Sequence, residues 1–146
     1  MPGGASWSRL GGAIAQTVCL CGSFRHWAEM LALREALLAG GAPCEWPTPE
    51  LHRDPATMTG DEARAAILAH LDRIDRAERI FVYDKDGYVG RSVAMDIGYA
   101  YARSKPLYAL TRIPDPFLQP LVTAVMSVED FLARVRSGDW PGIHPA

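Results

Sequence analysis

No stretch of the 146-residue chain is apolar for long enough to span a bilayer, so the sequence gives no reason to expect a membrane protein. There is no excess of positive charge either. Fifteen Lys and Arg against 17 Asp and Glu leave a formal charge of −2, which argues against a broad surface for a nucleic-acid polymer but permits a small local anion site. Cysteine is scarce and odd in number: Cys19, Cys21 and Cys44 suggest free thiols in a reducing, cytoplasmic setting rather than a disulfide framework. No His/Cys cluster has the usual spacing of metal ligands, so no metal site is expected. Cys19 and Cys21, two apart in an apolar run, read as small buried hydrophobes sharing one face of a strand. Repeats and low-complexity tracts are absent. The opening MPGGASWSRLGGAIAQ has one arginine and only a short Ala/Ile segment, a poor signal peptide that reads as a flexible leader over 1–16.

What is present alternates between strand-like and helix-like patterns. TVCLC (17–21) reads as a short buried strand closed by Gly22-Ser23, and a helix from His26 to Leu38 carries Trp27, Met30, Leu31, Leu37 and Leu38 as its stripe. Ala42 to Trp46 is a possible second strand, cut short by Pro47. Thr59 and Glu62 have capping-box spacing and open a helix to about Ala77, with Ala63, Ile67, Leu71 and Ile74 as its apolar stripe. RIFVY (79–83) is the clearest strand. A loop, a helix from Val93 to Arg103 with Ser92 as N-cap, a strand from Pro106 to Leu110, a possible strand from Leu121 to Met126 and a helix from Ser127 to Arg136 follow. This order predicts one α/β domain over 17–136, a Rossmann-like or flavodoxin-like three-layer sandwich with a mainly parallel sheet, and an irregular tail over 137–146.

Ligands of such sheets bind beyond the carboxyl ends of the strands, where two loops arrive with suitable residues. In the first, Gly22 permits close approach, Ser23 offers a hydroxyl, Arg25 can fork onto a phosphate, and a helix N-terminus attracts anions. The same residues also describe a tight turn with a surface arginine. In the second, DKDGYVGRS (84–92), Gly87 and Gly90 supply backbone freedom and Ser92 a hydroxyl. Asp96 lies about one turn further on and leans back toward the loop. By spacing alone, the preferred reading of Asp96 is a carboxylate favourably placed in the first turn of a helix. Tyr88 can stack on a base or pack on the surface, Asp84 and Asp86 can bind sugar hydroxyls or a metal but more often such residues solvate a loop, and His52 has no evident partner.

VCLCGSFR (18–25) followed by DGYVGRSVAMDIGYAYARSKPLYAL (86–110) resembles the nucleoside 2-deoxyribosyltransferase superfamily, which includes nucleoside 5'-monophosphate N-glycosidases. The specific part is Asp96-Ile97-Gly98-Tyr99-Ala100 with Ser104-Lys105-Pro106 after it. The resemblance implies hydrolysis or transfer at the N-glycosidic bond of a nucleoside or nucleotide. Asp96 would be the carboxylate nucleophile and His70 would stand where the family has an acid that assists the base. Asp72 and Asp75 are the alternatives if the alignment slips. Ser23, Arg25 and Ser92 would hold a 5'-phosphate, no cofactor is implied, and subunits would pair as homodimers. Three positions depart from the pattern: Asp96 stands where the family has Glu, Cys19 where it has Tyr, and His70 where it has the acid. Cysteine at 19 implies room for a ribose 2'-hydroxyl. A nucleotide-binding domain that keeps the fold without catalysis is the alternative expectation.

Overall fold

The computed structural model describes residues 16–47 and 54–140, so the leader up to residue 15, His52 and the tail beyond 140 lie outside the described residues. Four strands, β1 (Val18–Gly22), β2 (Arg79–Tyr83), β3 (Leu107–Ala109) and β4 (Ala124–Val125), form one sheet in the order β1-β2-β3-β4. All pairs are parallel, with Cys19 opposite Ile80, Cys21 opposite Val82, and Val82 opposite Ala109. Among the described residues, four helices cover it: α1 (Trp27–Ala39), α2 (Gly60–Arg76), α3 (Arg91–Ala102) and α4 (Val128–Ser137). The expected α/β sandwich with a parallel sheet is therefore the observed architecture.

The period-2 alternation of the strands sorts their side chains into two cores. Cys19, Cys21, Ile80, Val82, Leu107 and Ala109 face Ile74 of α2 and Val93, Ile97 and Ala100 of α3. Val18, Leu20, Phe81 and Tyr108 face Met30, Leu33 and Leu37 of α1 and Phe131 and Val135 of α4. Both strand faces are buried, as is usual for parallel sheets, which is why β1 and β2 read as continuous apolar runs rather than alternating ones.

Helix starts follow local chemistry. The Thr59 hydroxyl accepts from Glu62 N at 3.1 Å while the Glu62 carboxylate accepts from Thr59 N at 2.9 Å, completing the capping box at α2. Ser127 caps α4 by accepting from Asp130 N, and Gly138 ends that helix at φ 73°. Other details differ from the sequence reading. Helix α3 begins at Arg91 with Gly90 as N-cap, so Ser92 sits inside the first turn and exposed. Residues 42–46 form no strand; a single Pro43 carbonyl accepts from Val18 N at 2.9 Å along the free edge of β1. Proline at 43 and 47 deprives that segment of the N–H groups a ladder needs. The expected strand at 121–126 shortens to Ala124–Val125 behind a 3-10 turn. On α1 the buried stripe uses Leu33 in place of Leu31 and the exposed Leu38, and on α2 Ile67 points outward with only Ile74 fully buried.

Gln16 is buried and its side-chain oxygen accepts from both Arg79 Nε and Trp140 Nε1. Trp140 stacks on Tyr108 with centroids 4.8 Å apart, and the Arg79 guanidinium lies over its indole at 4.4 Å. No helix among the described residues is long and apolar enough to cross a membrane.

Candidate functional site

The site lies where β1 meets the layer of α2 and α3. Asp96 is in the second turn of α3, on the face that also buries Val93, Ile97 and Ala100, so its carboxylate is carried inward with the apolar stripe. His70 projects from α2 one turn before Ile74, toward the same strand. Nε2 of His70 is 3.4 Å from Oδ2 of Asp96, and the two side chains are only 14% and 12% exposed. Beneath them, Sγ of Cys21 is 3.4 Å and Sγ of Cys19 is 4.0 Å from the same nitrogen. The third expected departure and the first two thus meet at one point, although His70 is 49 positions from Cys21 in sequence.

The electrostatics follow from this enclosure. Burial raises the Asp96 carboxyl to about 6, against the pull of His70. Cys19 is lowered to about 6, first because the Cys21 thiol donates to its sulfur and then through His70. Cys21 is correspondingly pushed up by that same bond, by burial and by the Asp96 charge, so Cys21 keeps its proton. Burial disfavours the His70 imidazolium, but the Cys19 hydrogen bond and the Cys19 and Asp96 charges outweigh it and hold its pKa above the ordinary value.

Arg73 adds a constraint one turn further along α2. Its NH1 is 3.2 Å from Nδ1 of His70, and a guanidinium has only donors. The contact is a hydrogen bond only when Nδ1 is unprotonated, which puts the ring proton of the neutral form on Nε2, facing Asp96. Forming the imidazolium then requires Arg73 to turn away from Nδ1.

The two loops do converge. Arg25 stacks over the Tyr88 ring at 4.0 Å to the centroid, joining the turn after β1 to the loop after β2, with both side chains exposed. Ser23 accepts from Arg25 N at 3.3 Å and so caps the 3-10 turn that leads into α1. Gly22 serves packing: a Cβ there would lie 2.7 Å from Met30 Sδ and 3.1 Å from the Tyr83 carbonyl. Gly87 does need its left-handed backbone, at φ 78°, whereas Gly90 has φ −82° and instead leaves room for the Tyr88 hydroxyl, 3.1 Å from where a Cβ would be. Trp46 covers His70 edge-on at 5.0 Å and packs against Trp27 and Phe24, so an aromatic cluster borders the buried acid.

Other acids have different work. Asp84 is buried and accepts from Thr111 N at 3.0 Å and from the Thr111 hydroxyl, tying the end of β2 to the chain beyond β3. Asp75 accepts from the Tyr99 hydroxyl at 2.8 Å and from Arg103 Nε at 2.7 Å, while Lys105 Nζ donates to its carbonyl. Asp72 pairs with Arg76, which also meets Glu45. Tyr99 and Lys105 of the resembling block therefore clasp α3 to α2. Sequence reasoning missed Arg73 and Trp46; neither has a local signature, since each acts only through contact with His70.

No protein-family model matches the chain, and no curated protein sequence matches it. Solved structures do. A 2-deoxyribosyltransferase from the psychrotolerant bacterium Bacillus psychrosaccharolyticus superposes with a TM-score of 0.56 at 14% identity, covering 83% of this chain and 96% of that one. A conserved protein from Enterococcus faecalis V583 gives 0.58 at 16% identity, covering 83% and 97%. The Clostridium botulinum CMP N-glycosidase BcmB gives 0.53 at 15% identity, covering 82% and 97%. Over nearly the whole length of each of these three structures, the chain shares their fold.

Proposed function

We propose that the protein breaks the N-glycosidic bond of a nucleoside 5'-monophosphate. The observation that carries this reading is the buried Asp96–His70 pair, held at 3.4 Å beside the loops that bring Arg25 and Tyr88 together. In the reaction, an Asp96 oxygen bonds to the anomeric carbon as the bond to the base breaks, and the electron pair leaves on the base nitrogen. His70, as the imidazolium, gives the base its proton. Water, deprotonated by His70, then cleaves the sugar–Asp96 ester and restores both groups; another base in place of water gives transfer. Ser23 and Arg25 at the start of the first 3-10 turn and Ser92 in the first turn of α3 are assigned to the 5'-phosphate, since helix N-termini and a guanidinium favour an anion. Cys19, smaller than the tyrosine it replaces, leaves space for a 2'-hydroxyl, so ribonucleotides are accepted as well as deoxyribonucleotides.

A partly closed site favours the second reading, a nucleotide-binding domain without turnover: Trp46 lies across His70 and the acid is nearly out of solvent. Incubation with matched ribo- and deoxyribonucleoside monophosphates, followed by chromatography for free base, separates the two. Base release that Asp96→Asn abolishes supports the enzyme. A ligand-induced thermal shift with no base released by the wild-type protein establishes the binder.

The resemblance also leads us to propose a homodimer. α2 and α3 pack on each other, and each leaves apolar side chains in solvent: Ile67 and Leu68 on one, Met95 and Tyr101 on the other.

A further inference from the structure

Glycosidic chemistry uses a carboxylate and a proton donor, yet this site also holds two cysteines. The sulfurs of Cys19 and Cys21 and a ring nitrogen of His70 all lie within 4.8 Å of one another. Asp96 adds an oxygen 3.4 Å from that nitrogen. A tetrahedral Zn2+ ion, with bonds of about 2.3 Å to sulfur and about 2.0–2.2 Å to nitrogen and oxygen, sets ligand–ligand edges of roughly 3.3–3.8 Å. The edges to Nε2 are 3.4 Å from Cys21, 4.0 Å from Cys19 and 3.4 Å from Asp96, so the three edges at the imidazole reach tetrahedral values with shifts of up to about half an ångström.

The chemistry of the donors narrows the ion. Two sulfurs, one imidazole and one carboxylate suit Zn2+ and its tetrahedral analogue Co2+, whereas Mg2+ and Ca2+ seek six or more oxygens. The ligands stand on rigid elements: two from adjacent same-face positions of β1, one from α2 and one from α3. A crevice between Glu45, Trp46, Arg73 and Arg76 reaches Cys19 and offers an entry. A metal on Nε2 moves the ring proton to Nδ1, so Arg73 turns outward, and its charge then partly offsets two thiolates and a carboxylate around a divalent ion. The thiol protons leave to solvent as the metal–sulfur bonds form.

We propose that Cys19, Cys21, His70 and Asp96 form a tetrahedral Zn2+ site, and that filling it withdraws Asp96 from glycosidic chemistry. The first half rests on the donor geometry alone, the second on the N-glycosidase reading. The test is titration of the reduced full-length protein, without substrate, by Co2+ and then Zn2+. One Co2+ per chain is expected, with thiolate-to-cobalt charge-transfer absorption and the intense visible bands of a tetrahedral centre, bleached by an equivalent of Zn2+. Cys44→Ser leaves the spectrum unchanged, because that thiol donates to the Trp46 carbonyl at 3.4 Å, outside the four ligands. Cys21→Ser and His70→Ala, checked for folding by circular dichroism, each weaken Zn2+ binding more than ~100-fold. Absence of thiolate absorption in the wild-type protein, weak octahedral bands, or an affinity indifferent to Cys21→Ser in folded protein overturns the site; the wild-type spectrum decides even where a variant does not fold. Base release that persists at saturating Zn2+ overturns the inhibition alone. A protein that shows the cobalt spectrum but never releases base retains the metal site and loses the enzyme reading.

Discussion

Asp96 sets function against stability within one side chain. Its ordinary pKa of 3.8 becomes about 6 in the fold, so between those values the native state holds a proton that the unfolded chain has released. Stability therefore falls as pH rises through this window, and above it the burial cost is complete, about 3 kcal/mol at most. Asp96→Asn should raise stability at pH 7 by about 1–3 kcal/mol, with the gain vanishing near pH 4, as chemical denaturation at the two pH values will show. The same substitution should abolish base release, because an amide cannot attack the anomeric carbon. In the unmodified protein, base release should climb as pH rises through about 6, where the carboxylate ionises, and fall again when His70 loses its proton. A flat pH–rate profile would remove Asp96 as the nucleophile. Arg25 belongs to the same scale: Arg25→Ala should weaken monophosphate binding by about 1.5–3 kcal/mol in isothermal titration while leaving the parent nucleoside nearly unaffected.

Among the elements, β2 and the start of α2 were legible because their signals are local. RIFVY carries its own β pattern, and Thr59 with Glu62 names the start of α2 without help from the rest of the chain. Thr59→Ala should accordingly cost about 1 kcal/mol of stability in denaturant unfolding, with the fold retained. The segment 42–46 misled because its apolar residues, Ala42 and Cys44, are indeed buried, while its prolines leave it one bond to β1 where a strand needs a ladder. Ile67 misled in the opposite way: it has helical spacing, but nearly every side chain in the first half of α2 is exposed, Ile67 among them. The candidate site was only half legible. Asp96 and His70 came from the resemblance, Ser23 and Arg25 from the chemistry of a turn. What no spacing contains is that one imidazole would face two sulfurs, a carboxylate and a guanidinium, since those partners come from β1, α3 and α2 and meet only after the layers pack.

For the molecule as a whole, the outward apolar residues of α2 and α3 predict a dimer, to be read as a concentration-dependent mass in sedimentation equilibrium. Charged substitutions at Leu68 and Met95, both 47% exposed, should shift it to monomer without loss of fold. A monomer at every concentration would leave those side chains as ordinary surface. The clasp of Gln16, Arg79, Tyr108 and Trp140 has a different kind of consequence. It joins the side chains of two positions 124 apart in the sequence by a 2.9 Å hydrogen bond, so residues 16 and 140 lie within reach of one glutamine and one tryptophan side chain. In engineering terms it is a cassette: spliced through residues 16 and 140 into a surface loop of a host protein, it would demand splice points no further apart than two side chains can bridge. A rotation of its chain order, opened instead at the exposed tip around Phe117, would ask only a short linker to rejoin what the clasp already holds together.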